Sequence, residues 1–521
     1  MISTTARSVR RWTSLAMMGV LALAACGGDG GDDTSHGDIG TEGEDDAATE
    51  PVEVEVSRGE KVAAPLVTGP VAGGRRGLPF NPLPAGLAEE YGYIEEEFLI
   101  AGEATAYAPE GDWGEDGEWA ASPTQTAPYR TRILVRRPAD AEAFNGTVVV
   151  EWLNVTTGMD LDNGFALASD ELLRDGYVWV GASVQQVSIE GGDGLFPGFP
   201  GLDEVLALKE WDPERYGDLD HPGDDYSYDI YSQVAQALRR PEGADPLDGL
   251  AVQQIIASGE SQSAMFMVTY VNAVHPIADI YDGFLLHSRV GPTGWSLAQD
   301  AADATPAVAR IRTDLSDPVM QFQTETELFA FGGFVGARQP DTEQVRTWEV
   351  AGTAHIDQRW MDNEADSIRA WDESYSPDVS GCPVNDGPQT LVLRAAWAEL
   401  TQWVGGSDPP AQAEPIEVDD DAIARDQHGN AQGGVRTPAV DAPIARLSGE
   451  DDCVQTASPL GPFLGSTTPF DQATLESLYP THQDYVEAVR VATRTAVDAG
   501  FLLSADGGAI IDEAEQAPIP E

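Results

Sequence analysis

Lysine is almost absent from this chain. Lys61 and Lys209 are its two, among 29 basic residues set against 88 Asp and Glu, for a formal charge of −59 over 521 residues. A surface so acidic repels phosphate backbones and acidic polymers, which excludes nucleic acid as a partner. Cysteine is scarce too, at three. Neither Cys382 nor Cys453 has a second thiol or a histidine near it in sequence, so the spacing of a zinc site is missing. Asp160-Leu161-Asp162-Asn163-Gly164 does not complete a calcium loop, and no metal or cofactor is expected. No internal repeat occurs, and no apolar run reaches the ~20 residues that a membrane-spanning helix needs. What is present is core-forming material: 42% hydrophobic residues and 12 Trp, enough for one large α/β unit.

One short apolar run lies at the start. Arg7, Arg10 and Arg11 precede Leu15 to Ala25, an apolar core of export-signal length. It ends Leu23-Ala24-Ala25-Cys26, which resembles the lipobox of bacterial lipoproteins. The resemblance implies cleavage before Cys26, lipid on its thiol, and a protein anchored to the membrane outside the cytoplasm. Residues 26–58 are rich in Gly, Asp and Glu and nearly free of apolar side chains, the composition of a disordered tether. The signal peptide (1–25) and this tether are set apart from a catalytic unit over 59–521, with a C-terminal extension from about 380. Outside the cytoplasm a cysteine pair tends to oxidise, so a disulfide between Cys382 and Cys453 is expected, closing a long loop.

The folded part alternates strands and helices. Tyr93 to Tyr107 and Tyr129 to Arg136 read as strands, the second by alternation. Gly146 to Leu153 and Tyr177 to Val184 are nearly continuous apolar runs, as in strands buried on both faces. Phe165 to Asp175 and Tyr228 to Arg239 read as helices. Gln186 to Tyr226 reads as one long irregular stretch rich in Gly, Pro and aromatics. Three further strands follow: Ile280 to His287, Pro318 to Gln323 and Val345 to Val350. The alternation predicts a mostly parallel, doubly wound sheet with helices on both faces.

The stretch with the most chemical content is Val252 to Thr269. An apolar strand runs into Gly259-Glu260-Ser261-Gln262-Ser263, and a helix follows. A serine at the apex of a sharp strand-to-helix turn is exposed for attack, and the turn aims backbone N–H groups at the reacting carbonyl. The pattern is G-x-S-x-S, one small residue away from the commoner G-x-S-x-G. A nucleophilic serine in such a fold needs an acid and then a histidine, in that chain order. His355 sits in Ala351-Gly352-Thr353-Ala354-His355, just past the last apolar strand, and none of the other histidines pairs a strand end with small neighbours. Counting about nine residues from Pro318 reaches Glu327 as the acid, with Glu325 as the alternative; Asp314 and Asp317 read as surface or capping residues. The oxyanion donors are expected at the N–H of Gln262 and, in the loop after the Val148 strand, of Val155. The pocket is expected to draw on 185–226 and 287–304, with Trp295, Trp211, Tyr216, Tyr226 and Tyr228 as candidate walls. Gly429 to Thr437, with Arg436, is either a rim of the site or a loop on the sheet edge.

The segments VVVEWLNVTTG, HPGDDYSYDIYSQVAQAL, IIASGESQSA, QTETE, EVAGTAHID and GNAQGGVRTPAVDAPIARLSG together resemble the bacterial alpha/beta hydrolase domain family, from about Thr68 to Phe501. The resemblance implies an α/β-hydrolase fold with loop insertions forming a cap, and a triad of Ser261, Glu327 and His355. The expected function is hydrolysis of a small-molecule carboxylic ester. A peptidase or amidase with the same triad, and a non-catalytic surface-binding lipoprotein on this scaffold, remain open at this level.

Overall fold

The structure, a computed structural model, describes residues 58–520 apart from 193, 196–201, 203–204, 378–380, 382 and 451–459. The signal peptide, Cys26, the tether up to residue 57 and the Cys382–Cys453 pair therefore lie outside the described residues.

Ten strands form one sheet: β1 (Leu66–Thr68), β2 (Tyr93–Glu110), β3 (Ala120–Pro138), β4 (Thr147–Trp152), β5 (Val178–Ala182), β6 (Glu242–Gly243), β7 (Gln254–Glu260), β8 (Gly283–His287), β9 (Val319–Gln323) and β10 (Val345–Glu349). Their order is β10-β9-β8-β7-β4-β5-β3-β2-β1-β6. From β5 through β10 every pairing is parallel, whereas β3 pairs antiparallel with both β2 and β5. The chain steps from β4 out to β5 and later returns to β7 on the other side of β4. That reversal opens a crevice at the carboxyl ends of β4 and β7, where ligands bind in open α/β sheets.

The strands read as unbroken apolar runs because both sheet faces are covered. Val149, Ile256, Leu285 and Met320 face one core, beneath the helices Asn163–Arg174, Gln358–Arg369 and Gln389–Val404. Val148, Val150, Ile255, Ala257 and Phe284 face the other, beneath Ser227–Arg239 and Gln262–Thr269. Among the described residues, no helix is long and apolar enough to cross a membrane.

Two expectations change, and one open alternative is decided. The stretch after Gln185 is not wholly irregular: it carries the short helices Gln186–Glu190, Leu208–Trp211 and Pro213–Tyr216. Asp212 starts the last of these by accepting from the N–H groups of Glu214 and Arg215. Asp317 is no surface residue; it is buried and pairs with Arg58 at 2.7 Å and with His275 Nε2 at 2.8 Å. Gly429 to Thr437 lies at the sheet edge, where Val435 bridges Val350 and Arg436 pairs with Asp441.

Candidate active site

Ser261 directly follows β7 and has φ 61° and ψ −118°. A non-glycine residue at positive φ is strained, and such strain persists only where the surroundings fix it. Here the Ser261 N–H donates to the His287 carbonyl at 2.9 Å, which ties the turn to β8. Gly259 is required by crowding: a Cβ there would lie 2.9 Å from the Ser263 backbone and 3.0 Å from Met267. Ser263 belongs to the helix Gln262–Thr269 and is fully buried, so a small side chain suffices at the position where glycine is commoner.

Two loops meet over the turn. The first follows β9, where Thr324 caps the helix Glu325–Phe329 in a capping box whose N3 residue is Glu327. One oxygen of Glu327 accepts from both the N–H and the hydroxyl of Thr324, at 2.7 Å each. The second follows β10, and its tight course needs Gly352 at φ 81°. Cross-links lock the loops together: Glu325 accepts from the Gly352 N–H at 2.6 Å, and the His355 N–H donates to the Thr326 hydroxyl at 3.1 Å. His355 Nδ1 then lies 2.7 Å from Glu327 Oε1, and Nε2 lies 2.9 Å from Ser261 Oγ. Glu325, the alternative acid, faces elsewhere: it accepts from Arg425 and from the Gly449 N–H, at 3.0 Å each.

Burial alone would raise the Glu327 carboxyl, but the hydrogen bonds from His355 and Thr324 outweigh it and hold the group below its ordinary value. Burial likewise opposes protonation of His355, yet Glu260 and Glu327 together raise it. His287, in the same buried region, is pushed down to about 3 by burial and stays neutral.

The loop after β4 supplies the opposite wall. Asn154 and Leu161 pair across it, and the Gly158 N–H closes onto the Val155 carbonyl at 2.9 Å. Asp160 is fixed by Arg132 at 3.0 Å, and Asp162 pairs with Arg136. Both arginines are buried and stand on β3. The acidic run is thus consumed by ion pairs. Gln262 begins its helix, where a backbone N–H has no intrahelical acceptor. The Val155 N–H points at the Gln262 side-chain oxygen over a long 3.4 Å, which sets the loop after β4 against the residue that follows Ser261.

A cavity of about 30 Å³ lies beside Ser261 and His355. Its apolar wall is Leu161, Ile356, Trp360, Leu460 and Phe463; Asn154, Thr156, Thr157 and Asn163 are its polar side. The expected walls do not contribute among the described residues. Trp295 stacks on Phe266 at 5.0 Å, Trp211 packs edge-on to Phe80, and Tyr216 donates to Glu97. These aromatics are bound into the two cores. The sequence reading also passed over Glu260, whose Oε1 is 3.2 Å from His355 Nε2; a carboxylate next to the candidate nucleophile was the signal available.

Elsewhere, His275, Asp279 and Asp317 cluster closely enough to resemble a cation site. Arg58 already pairs with both aspartates, at 3.1 and 2.7 Å.

The strand order, the strained turn after β7 and the acid and histidine that follow in chain order define an α/β hydrolase. The chain belongs to the family described as the alpha/beta hydrolase domain, whose model matches residues 67–512. A comparison with curated proteins finds no match. Similar solved structures include a putative dienelactone hydrolase from Klebsiella pneumoniae subsp. pneumoniae MGH 78578, at 14% identity over 53% of this chain and 99% of that one, with TM-score 0.26. Est1E from Butyrivibrio proteoclasticus is 11% identical over 47% and 95%, with TM-score 0.26. XC6422 from Xanthomonas campestris, described as an a/b serine hydrolase without lid, is 13% identical over 52% and 94%, with TM-score 0.25. At these identities and TM-scores the likeness decides nothing about substrate, and the family assignment rests on the match over residues 67–512.

Proposed function

We propose that the protein hydrolyses small carboxylic esters through an acyl-enzyme, with Ser261 as nucleophile, His355 as base and Glu327 as the acid that orients it. The observation that carries this reading is the unbroken hydrogen-bond chain from Ser261 Oγ through both nitrogens of His355 to Glu327. With Nδ1–H donated to Glu327, Nε2 is free to accept the serine proton as Oγ attacks the carbonyl. The imidazolium then protonates the departing alkoxide, and a water activated by the same nitrogen releases the acid. The N–H groups of Gln262 and Val155 receive the oxyanion once the Gln262 side chain moves aside. The apolar side chains of Leu161, Ile356, Trp360, Leu460 and Phe463 crowding the space beside the nucleophile favour a short acyl group. The signal-like N-terminus and Cys26 support a lipid-anchored protein outside the cytoplasm, which mass spectrometry of the mature N-terminus would test.

Ser261→Ala is expected to lower turnover of p-nitrophenyl acetate by roughly 10⁴-fold or more, with unchanged circular dichroism. A fluorophosphonate probe should label the wild type at Ser261. Across p-nitrophenyl esters, kcat/KM should fall at least about tenfold from acetate to octanoate. Turnover that survives the serine substitution would sink the assignment.

A further inference from the structure

Glu260 ends β7 and is 3% exposed. One of its oxygens, Oε2, accepts from Asn163 Nδ2 at 2.6 Å and from Asn154 Nδ2 at 3.4 Å. Asn163 is held in turn by the Trp360 indole N–H at 3.1 Å, and Asn154 also donates to the Glu260 carbonyl at 3.1 Å. These amides do not ionise, so they fix the carboxyl at any pH. The other oxygen, Oε1, lies 3.2 Å from His355 Nε2, the nitrogen that is 2.9 Å from Ser261 Oγ. A bare imidazole nitrogen and an ionised carboxylate oxygen at that distance would set two lone pairs against each other. The contact is attractive only when one proton lies on the pair, as imidazolium or as carboxylic acid.

We propose that Glu260 is a positioning residue for His355: its carboxylate holds the Nε2–H of the imidazolium formed during acylation and deacylation, and it keeps a proton on the His355–Glu260 pair at low pH, setting the pH at which the base becomes free. The proposal rests on the hydrolase reading. It adds no covalent step. The Ser261 O–H bond breaks, its electron pair forms the bond to the acyl carbon, and its proton forms N–H at Nε2. Glu260 accepts that hydrogen bond until the proton passes to the leaving alkoxide. The same exchange runs with water in deacylation.

The surroundings agree. Burial pushes the Glu260 carboxyl up to about 7, against the pull of His355 and Asn163. Among the described residues the other titratable groups facing the pair are Glu327 from the loop after β9, Glu364 from the helix Gln358–Arg369, and His287 at the end of β8, which burial keeps neutral. Behind Glu364 stand Asp162 and Glu151, with Arg136 as the nearby cation.

The test uses Glu260→Gln in the full chain, with kcat/KM for p-nitrophenyl acetate and the rate of fluorophosphonate labelling both followed across pH. The acid limb of both profiles is expected to move down by about one pH unit, the usual size of an opposite charge removed from a neighbour. The plateau should fall up to about tenfold. Glu260→Asp, which keeps the charge, should restore part of the shift. A lower plateau with an unmoved limb would make Glu260 a structural prop and overturn the proposal. Independently of whether these variants fold, NMR titration of His355 in the wild type should give a midpoint above the ordinary ~6.5; one below it overturns the proposal. No labelling of the wild type at any pH overturns the hydrolase reading and this proposal with it, whereas labelling with an unmoved limb overturns this proposal alone.

Discussion

Glu325 and Glu327 stand two residues apart on one helical turn, both buried, and do unrelated work. Glu327 touches His355. Glu325 binds Arg425, the Gly352 N–H in the loop after β10, and the Gly449 N–H from much later in the chain. Substitution should separate the roles cleanly. Glu327→Gln keeps the volume but removes the charge that fixes the imidazole tautomer, so kcat should fall by roughly 10³–10⁴-fold with little change in stability. Glu325→Ala leaves a half-buried guanidinium without one of its partners and two amides without acceptors, so it should cost about 2–3 kcal/mol of stability in urea unfolding. Steady-state kinetics beside urea midpoints, measured on both variants, check the pair.

Each segment of the site owes its place to a different constraint. The turn after β7 depends on strand and helix approaching at Gly259. Gly259→Ala would drive a methyl to 2.9 Å from the Ser263 backbone, where no flexible side chain can yield. The expected cost is about 1–3 kcal/mol, and a displaced Ser261 should lower kcat by roughly tenfold to 10²-fold. Chemical denaturation and turnover of the same preparation check both effects. The loop after β4 is held by ion pairs from Asp160 and Asp162 to arginines on β3. This loop carries Val155 and part of the cavity wall, so an antiparallel strand remote from the serine fixes one side of the site.

Taken whole, the molecule carries many carboxyls whose burial costs more as pH rises. Glu151 is pushed up to about 8, mainly by burial, though it accepts from Gly164, Phe165 and Trp179. Asp357 is raised to about 7, chiefly by burial, and Glu260 likewise. In the unfolded chain these groups titrate near ~4. Their contribution is therefore fully present below about pH 4 and is lost as pH rises through 7 to 8. Glu327, whose value is lowered, acts oppositely and weakens the fold only in acid. Tm should accordingly fall between pH 5 and 8 and level off above. The net charge of −59 adds self-repulsion in the same direction, so about 1 M NaCl, which shortens the screening length to ~3 Å, should raise Tm at pH 8. Scanning calorimetry across pH and salt checks both trends.

The strands were legible because burial leaves a local signature: Val148 to Val150 and Val178 to Val180 are apolar whichever face they meet. The turn at Ser261 was legible too, since strand, small residue, serine and helix are contiguous. Chain order then pointed to His355 and to two candidate acids. Spacing from Pro318 already favoured Glu327 over Glu325; what only the tertiary structure supplied is the reason, that side chains two residues apart on one turn point in different directions, Glu327 to His355 and Glu325 to Arg425. The cavity wall from Leu161, Trp360 and Phe463, and the contact of Glu260 with His355, arise where loops from distant parts of the chain cross. Local pattern records which face of an element is buried; it does not record which loop lies over which, and in this protein the chemistry is placed at those crossings.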